Sequence, residues 1–143
     1  MQNDKGHAML IGECNCGQIA FEITGEHPDV YVCHCSICQC STGSNGIAVL
    51  VIGNEDFSWT RGEHLVSTWK KPGHDWKKWF CRNCGSPLPG ENDESRMFIP
   101  AGLLSGENIG LKVAHHIWVS SKAEWDVIGD SGKQHMEAYN PLN

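Results

Sequence analysis

The stretch Cys33-His34-Cys35-Ser36-Ile37-Cys38-Gln39-Cys40-Ser41-Thr42-Gly43 packs four thiols into eight positions, a density that neither backbone geometry nor core packing asks for. The spacing Cys33-x-Cys35-x-x-Cys38 brings three sulfurs to one tight turn. Three protein ligands and one exchangeable position is how zinc is held when it does chemistry. A short helical turn fits Ser36 to Thr42, with Ser36 as its cap and Gly43 able to take the left-handed terminating conformation. On such a helix Cys38 and Cys40 stand roughly 200° apart, so both cannot face one ion and Cys40 is the odd one out. Cys38 lies near the helix N-terminus, where the dipole favours thiolate. Two other arrangements stay open. Cys40 closes a second structural site, or His34 serves as fourth ligand, acid or base instead of packing away from the sulfurs.

The remaining cysteines come in two pairs, each followed at once by glycine: Cys14-Asn15-Cys16-Gly17 and Cys81-Arg82-Asn83-Cys84-Gly85. In a metal-binding knuckle the chain folds back so that backbone N–H groups point at thiolates, and a residue without a Cβ tolerates the positive φ this often needs. Cys14, Cys16, Cys81 and Cys84 are therefore paired into one closed structural zinc site, the alternative being a set of buried free cysteines. Closing so long a loop restricts the unfolded chain, and the metal adds binding energy of its own.

With 143 residues, the chain is expected to form a single zinc-binding domain, with a core over about 9–128 and a loosely held polar tail from Gly129. Glycine is over-represented at 16 residues and the apolar residues fall in short clusters, which indicates a mainly β chain with many turns. The net charge of -6 disfavours a nucleic-acid partner; the one basic patch is Lys70, Lys71, Lys77 and Lys78, read as solvated surface. No apolar leader or membrane-length segment is seen, so the expected location is cytoplasmic. In that reducing compartment metal ligation is favoured over disulfides.

Ile19, Phe21 and Ile23 alternate with polar or small residues as in a strand with one buried face. Further strands are expected at Val30–Val32, Ile47–Ile52 (buried on both faces), Met97–Ile99 and Ile117–Val119. Phe57–Arg61 and Leu65–Trp69 read as a hairpin about Gly62-Glu63. Leu103 to Ser105 reads as a turn or short helix. His115 and His116 point to opposite faces, so at most one sees a given pocket. Trp69, Trp76, Trp79, Trp118 and Trp125 are expected in core or turn packing.

Taken together, Gly12-x-Cys14-x-Cys16-Gly17, Cys33-His34-Cys35-x-x-Cys38-Gln39, Trp79-Phe80-Cys81-x-x-Cys84-Gly85-Ser86-Pro87-Leu88 and His116-Ile117-Trp118-Val119-x-x-Lys122-x-x-Trp125 resemble the glutathione-dependent formaldehyde-activating enzymes, a family that also contains centromere protein V. The resemblance covers nearly the whole chain. It implies a β-tent fold of small coiled antiparallel sheets, a structural zinc on Cys14, Cys16, Cys81 and Cys84, and a catalytic zinc on Cys33, Cys35 and Cys38. It also implies carbon–sulfur lyase chemistry: addition of the glutathione thiol to formaldehyde to give S-hydroxymethylglutathione, and the reverse. Cys40 departs from the family pattern, in which a non-cysteine, often basic, residue is usual. The rival class is a non-catalytic interaction module in which zinc only holds the fold.

Overall fold

The computed structural model describes residues 9–105 and 110–139; the polar stretch before Met9 lies outside them. In chain order the strands are β1 (Leu10–Glu13), β2 (Ala20–Ile23), β3 (Val30–Cys33), β4 (Ile47–Gly53), β5 (Phe57–Arg61), β6 (Val66–Lys70), β7 (Lys77–Cys81), β8 (Gly90–Glu91), β9 (Arg96–Pro100), β10 (Leu104–Ser105), β11 (Val113–Ile117) and β12 (Lys133–Gln134). The helix α1 (Ser36–Thr42) follows β3. The fold is mainly β, with one α-helix among the described residues and single 3-10 turns. The residues gather into two compact units, one drawn from Met1–Pro28 and Leu50–Gly110, the other from Asp29–Val49 and Leu111–Asn143.

In the first unit β10, β1, β2 and β5 form an antiparallel sheet in that order. The period-2 pattern of β2 does what its residues dictate: Ile19, Phe21 and Ile23 are fully buried while Glu22 stays partly exposed. Each such side chain contributes roughly 1.5–3 kcal/mol. The Phe21 ring packs at 5.5 Å against Phe57 and edge-on to Trp59 at 6.2 Å. The hairpin expected about Gly62-Glu63 does not form. Gly62 takes a left-handed conformation (φ 73°), 63–65 turn as a 3-10 helix, and β6 leaves the sheet of β5 to pair with β7, Val66 opposite Cys81 and Lys70 opposite Lys77. The hairpin of β6 and β7 turns instead at Lys71-Pro72-Gly73, closed by the Lys71 N–H on the Trp76 carbonyl at 3.0 Å.

The second unit is built on β3, which pairs antiparallel with β4 and parallel with β11; β12 adds in parallel beyond β11. The β3–β11 and β11–β12 pairings are thus parallel, unlike the antiparallel β1–β2, β2–β5, β3–β4 and β6–β7 pairs. β4 itself is not buried on both faces: only Leu50 and Ile52 are fully covered. The strand expected at 117–119 ends at Ile117, because Trp118 adopts a left-handed backbone (φ 57°, ψ 39°) and 119–121 turn as a 3-10 helix. Within the described residues, 133–137 of the polar tail pair with β11 and the turn after it. β12 pairs with β11, the Trp118, Val119 and Ser120 N–H groups donate to the carbonyls of Glu137, His135 and Met136, and His135 N–H donates to the His116 carbonyl. Trp69 and Trp125 are exposed, 52% and 68%, so they are not core residues. No helix among the described residues is long and apolar enough to cross a membrane.

Candidate functional site

Both cysteine clusters assemble, each inside one unit. In the first, the sulfurs of Cys14, Cys16, Cys81 and Cys84 all lie within 4.8 Å of one another. Cys14 and Cys16 are 3.6 Å apart and Cys16 and Cys81 3.9 Å. Four sulfurs at about 2.3 Å from one tetrahedral ion would stand about 3.8 Å apart, whereas a disulfide needs about 2.05 Å. The knuckles have the folded-back form that the trailing glycines suggest. Gly17 and Gly85 sit at φ 76° and 80°, and their N–H groups donate to the carbonyls of Cys14 and Cys81 at 2.9 and 2.8 Å. Backbone N–H groups of Ile19 and Cys84 point at the sulfurs of Cys14 and Cys81, both at 3.4 Å. Ser86 ties the knuckles together: its hydroxyl accepts from the Asn15 N–H at 2.9 Å and lies 3.3 Å from Cys84 Sγ. That hydroxyl is the first of the contacts that draw the Cys84 thiol down to about 6. Cys14 and Cys81 are buried with Ile19 and Leu88 in one core cluster and Cys84 packs against it, while Cys16 is exposed.

The second cluster holds Cys33, Cys35 and Cys38, again within 4.8 Å. Cys33 ends β3, opposite Ile47 on β4 and Ile117 on β11. Cys35 is the N-cap of α1: its sulfur, not the hydroxyl of Ser36, accepts the Cys38 N–H at 3.3 Å, and the helix begins at Ser36. The cap expected at Ser36 is displaced because Cys35-x-x-Cys38 folds as the same N–H to sulfur knuckle as Cys81-x-x-Cys84. Gly43 ends the helix in the left-handed conformation, as the sequence suggests. Cys40 is exposed and is not among the converging sulfurs. Within the cluster the Cys38 thiol donates toward Cys33, which draws Cys33 down to about 6 and, with burial, pushes Cys38 up. The sulfurs are therefore arranged to share negative charge, the environment a divalent, thiophilic cation satisfies. Both clusters could hold a metal ion.

His34, between two of these cysteines, is 1% exposed and not grouped with the sulfurs. Its Nε2 lies 2.8 Å from His116 Nδ1, and His116 Nε2 lies 2.9 and 3.1 Å from the two oxygens of Asp130. Its Nδ1 has no hydrogen-bond partner and stands 3.8 Å from Asp126 Oδ2. Burial, then the neighbouring His116, lowers the His34 pKa, against the pull of Asp126. Gln39 Nε2 donates to the carbonyls of His34 at 2.7 Å and Ser121 at 2.9 Å. His115 faces away, as strand alternation requires, and packs with Tyr31, His135 and Tyr139. Asp126 and Asp130 carry no signal in the sequence, since their partners lie far away in the chain; Ser86 and Gln39 stand beside the cysteine motifs, and that adjacency was the available signal. In the lysine patch, Lys70 caps the His74 carbonyl and Lys77 lies over the Trp79 ring.

A sequence model of the glutathione-dependent formaldehyde-activating enzymes matches residues 9–121, which takes in both cysteine clusters. The chain belongs to this family. A Halomonas elongata protein named, provisionally, as a glutathione-dependent formaldehyde-activating enzyme is 31% identical over 88 residues, 56% of this chain and 54% of the relative. The chain thus spans about half the length of that curated relative. The crystal structure of a Rhodobacter sphaeroides protein matches with a TM-score of 0.56 at 23% identity, over 72% of this chain and 96% of that one, which shows a shared fold. The matched residues 9–121 contain both cysteine clusters and most of the mainly β fold.

Proposed function

We propose that the chain is a zinc-dependent carbon–sulfur lyase that joins a small thiol, glutathione in the first instance, to formaldehyde or a related aldehyde, and releases it again. The carrying observation is the contrast between the clusters: four sulfurs converge in one and three in the other, with Cys40 turned out. In this reading Cys14, Cys16, Cys81 and Cys84 hold a structural zinc, and Cys33, Cys35 and Cys38 hold a second that accepts one further ligand. A zinc ion there would supply the charge that keeps a substrate thiol deprotonated at neutral pH.

The chain's own residues do the rest. Gln39 and the His34 backbone hold the ligand turn in place, so the three sulfurs would hold the ion without rearranging as a further ligand arrives. Three thiolates outweigh a divalent ion by one negative charge, and a thiolate substrate with free carboxylates adds more, so a cation is needed nearby. Of the three lysines described in this unit, Lys112 and Lys133 are exposed and only Lys122 is half-buried. Its ammonium donates to the carbonyls of Ala123 and Asp126, and its charge is felt at His34. An ammonium has three N–H groups, which leaves one for a substrate anion. The free cysteines suit a reducing compartment such as the cytoplasm.

The test is the rate of exchange between glutathione and its formaldehyde adduct, measured by NMR exchange spectroscopy with the zinc-loaded protein. The expected result is acceleration over buffer that disappears in Cys38→Ser. Exchange no faster than in buffer, across a panel of thiols and aldehydes, contradicts the proposal and favours the non-catalytic module.

A further inference from the structure

Cys33 and Cys35 send their sulfurs to one cluster, while His34 between them sends its ring to His116 on β11, as alternation along an extended chain demands. His34 is fixed at three points. Its N–H donates to the Ile117 carbonyl at 3.0 Å, its carbonyl accepts from Gln39, and its ring nitrogen meets His116. The peptide units on either side of it are those that carry Cys33 and Cys35. The direction of the hydrogen bonds follows from the far end. Asp130 accepts from His116 Nε2–H and also takes the Gly132 N–H at 2.8 Å. With His116 neutral, its other nitrogen, Nδ1, accepts, and His34 donates from Nε2. In that tautomer His34 Nδ1 carries no proton; it has no hydrogen-bond partner, and Asp126 Oδ2 stands 3.8 Å away. Two nearly fully buried imidazoles cost desolvation that apolar side chains of the same volume would avoid. What they add is a single fixed ring orientation.

We infer that Asp130 and His116 are positioning residues for the three-cysteine cluster: the carboxylate orients His116, His116 orients His34, and His34 sets the backbone from which Cys33 and Cys35 reach their ion. The inference rests on the reading of Cys33, Cys35 and Cys38 as a metal site. Partners one step removed from metal ligands typically tune affinity by about 10–100-fold, and here the arm runs through the main chain between two ligands.

The full-length protein is loaded with Co(II), and each site's affinity is read by competition with a chelator, its geometry by the d–d absorption bands, and the imidazole tautomers by 15N NMR. Wild type is expected to take up two Co(II), with His34 and His116 both in the Nε2–H form. Asp130→Asn should weaken the three-cysteine site about 10-fold or more, shift its bands and redistribute the tautomers, leaving the four-cysteine site unchanged, and Asp130→Glu should restore much of the loss. Asp130 is 44% exposed, so its replacement tests orientation, not core packing. Two Co(II) in wild type with unchanged affinity, bands and tautomers in Asp130→Asn overturns the inference and leaves the metal reading standing. Loss at both sites marks a global effect and also overturns it. Uptake of a single Co(II) by wild type overturns the metal reading and this inference with it.

Discussion

Cys81 and Cys38 are both buried thiols, yet they are embedded differently. Cys81 is fully enclosed with Cys14, Ile19 and Leu88, with Trp79 and Val66 packed on that cluster, so two of the four sulfurs of its donor set are core side chains. Cys81→Ser is expected to cost more than about 4 kcal/mol, read as loss of the cooperative melt, whereas Cys38→Ser should remove one metal equivalent and the activity and leave most of the melt intact. The reverse order of destabilisation would mean that the division into structural and catalytic sites is wrong. Lys122→Met should raise KM for glutathione several-fold with a smaller effect on kcat, measured by steady-state kinetics; a fall in kcat alone would exclude anion binding as its role. Asp93, which accepts from Arg96 and from the Ser95 and Arg96 N–H groups, has its carboxyl drawn down to about 2. Its folded pKa lies below its unfolded value, so its contribution to stability is full above about pH 4 and is lost as pH falls through the folded value. A carboxyl NMR titration of Asp93 with a midpoint near 4 would remove that contribution.

At the scale of the element, α1 and the strands around it show what sequence can and cannot say. The 36–42 span and its Gly43 terminus were legible because capping chemistry is local. The cap itself was misplaced by one residue: a hydroxyl is the usual cap, and only the metal-type knuckle makes the Cys35 sulfur the better acceptor. The Gly62 turn was read as a hairpin because turn residues announce a reversal and not the partner; β5 is claimed by β2 through the Phe21, Phe57 and Trp59 cluster. Beyond α1, Gly46 has φ 156°, and a Cβ there would overlap the Cys33 carbonyl oxygen, whereas a Cβ on Gly43 meets nothing within 4 Å. Gly46→Ala should therefore displace Cys33 and weaken the three-cysteine site, while Gly43→Ala costs only about 1–2 kcal/mol of left-handed strain and leaves metal affinity intact. Equal metal titrations for the two variants would contradict the role given to the Cys33 carbonyl.

For the whole molecule, the sorting of eight cysteines into four, three and one was readable from spacing, trailing glycines and helical phase, since each of these is a local constraint on where a sulfur points. The supports were not readable. Asp130 sits in a polar tail that composition marks as loose, and it meets His116 only because β12 runs parallel to β11. The exposed Trp125, Val127 and Met136 likewise break the rule that large apolar residues go inside. The central claim is that the chain carries one closed sulfur site and one that takes a further ligand. Zinc X-ray absorption of the two-zinc protein with and without glutathione tests it most directly. The account predicts an average sulfur number below four in the free protein that rises toward four when glutathione binds; a full four-sulfur shell that glutathione leaves unchanged would contradict it.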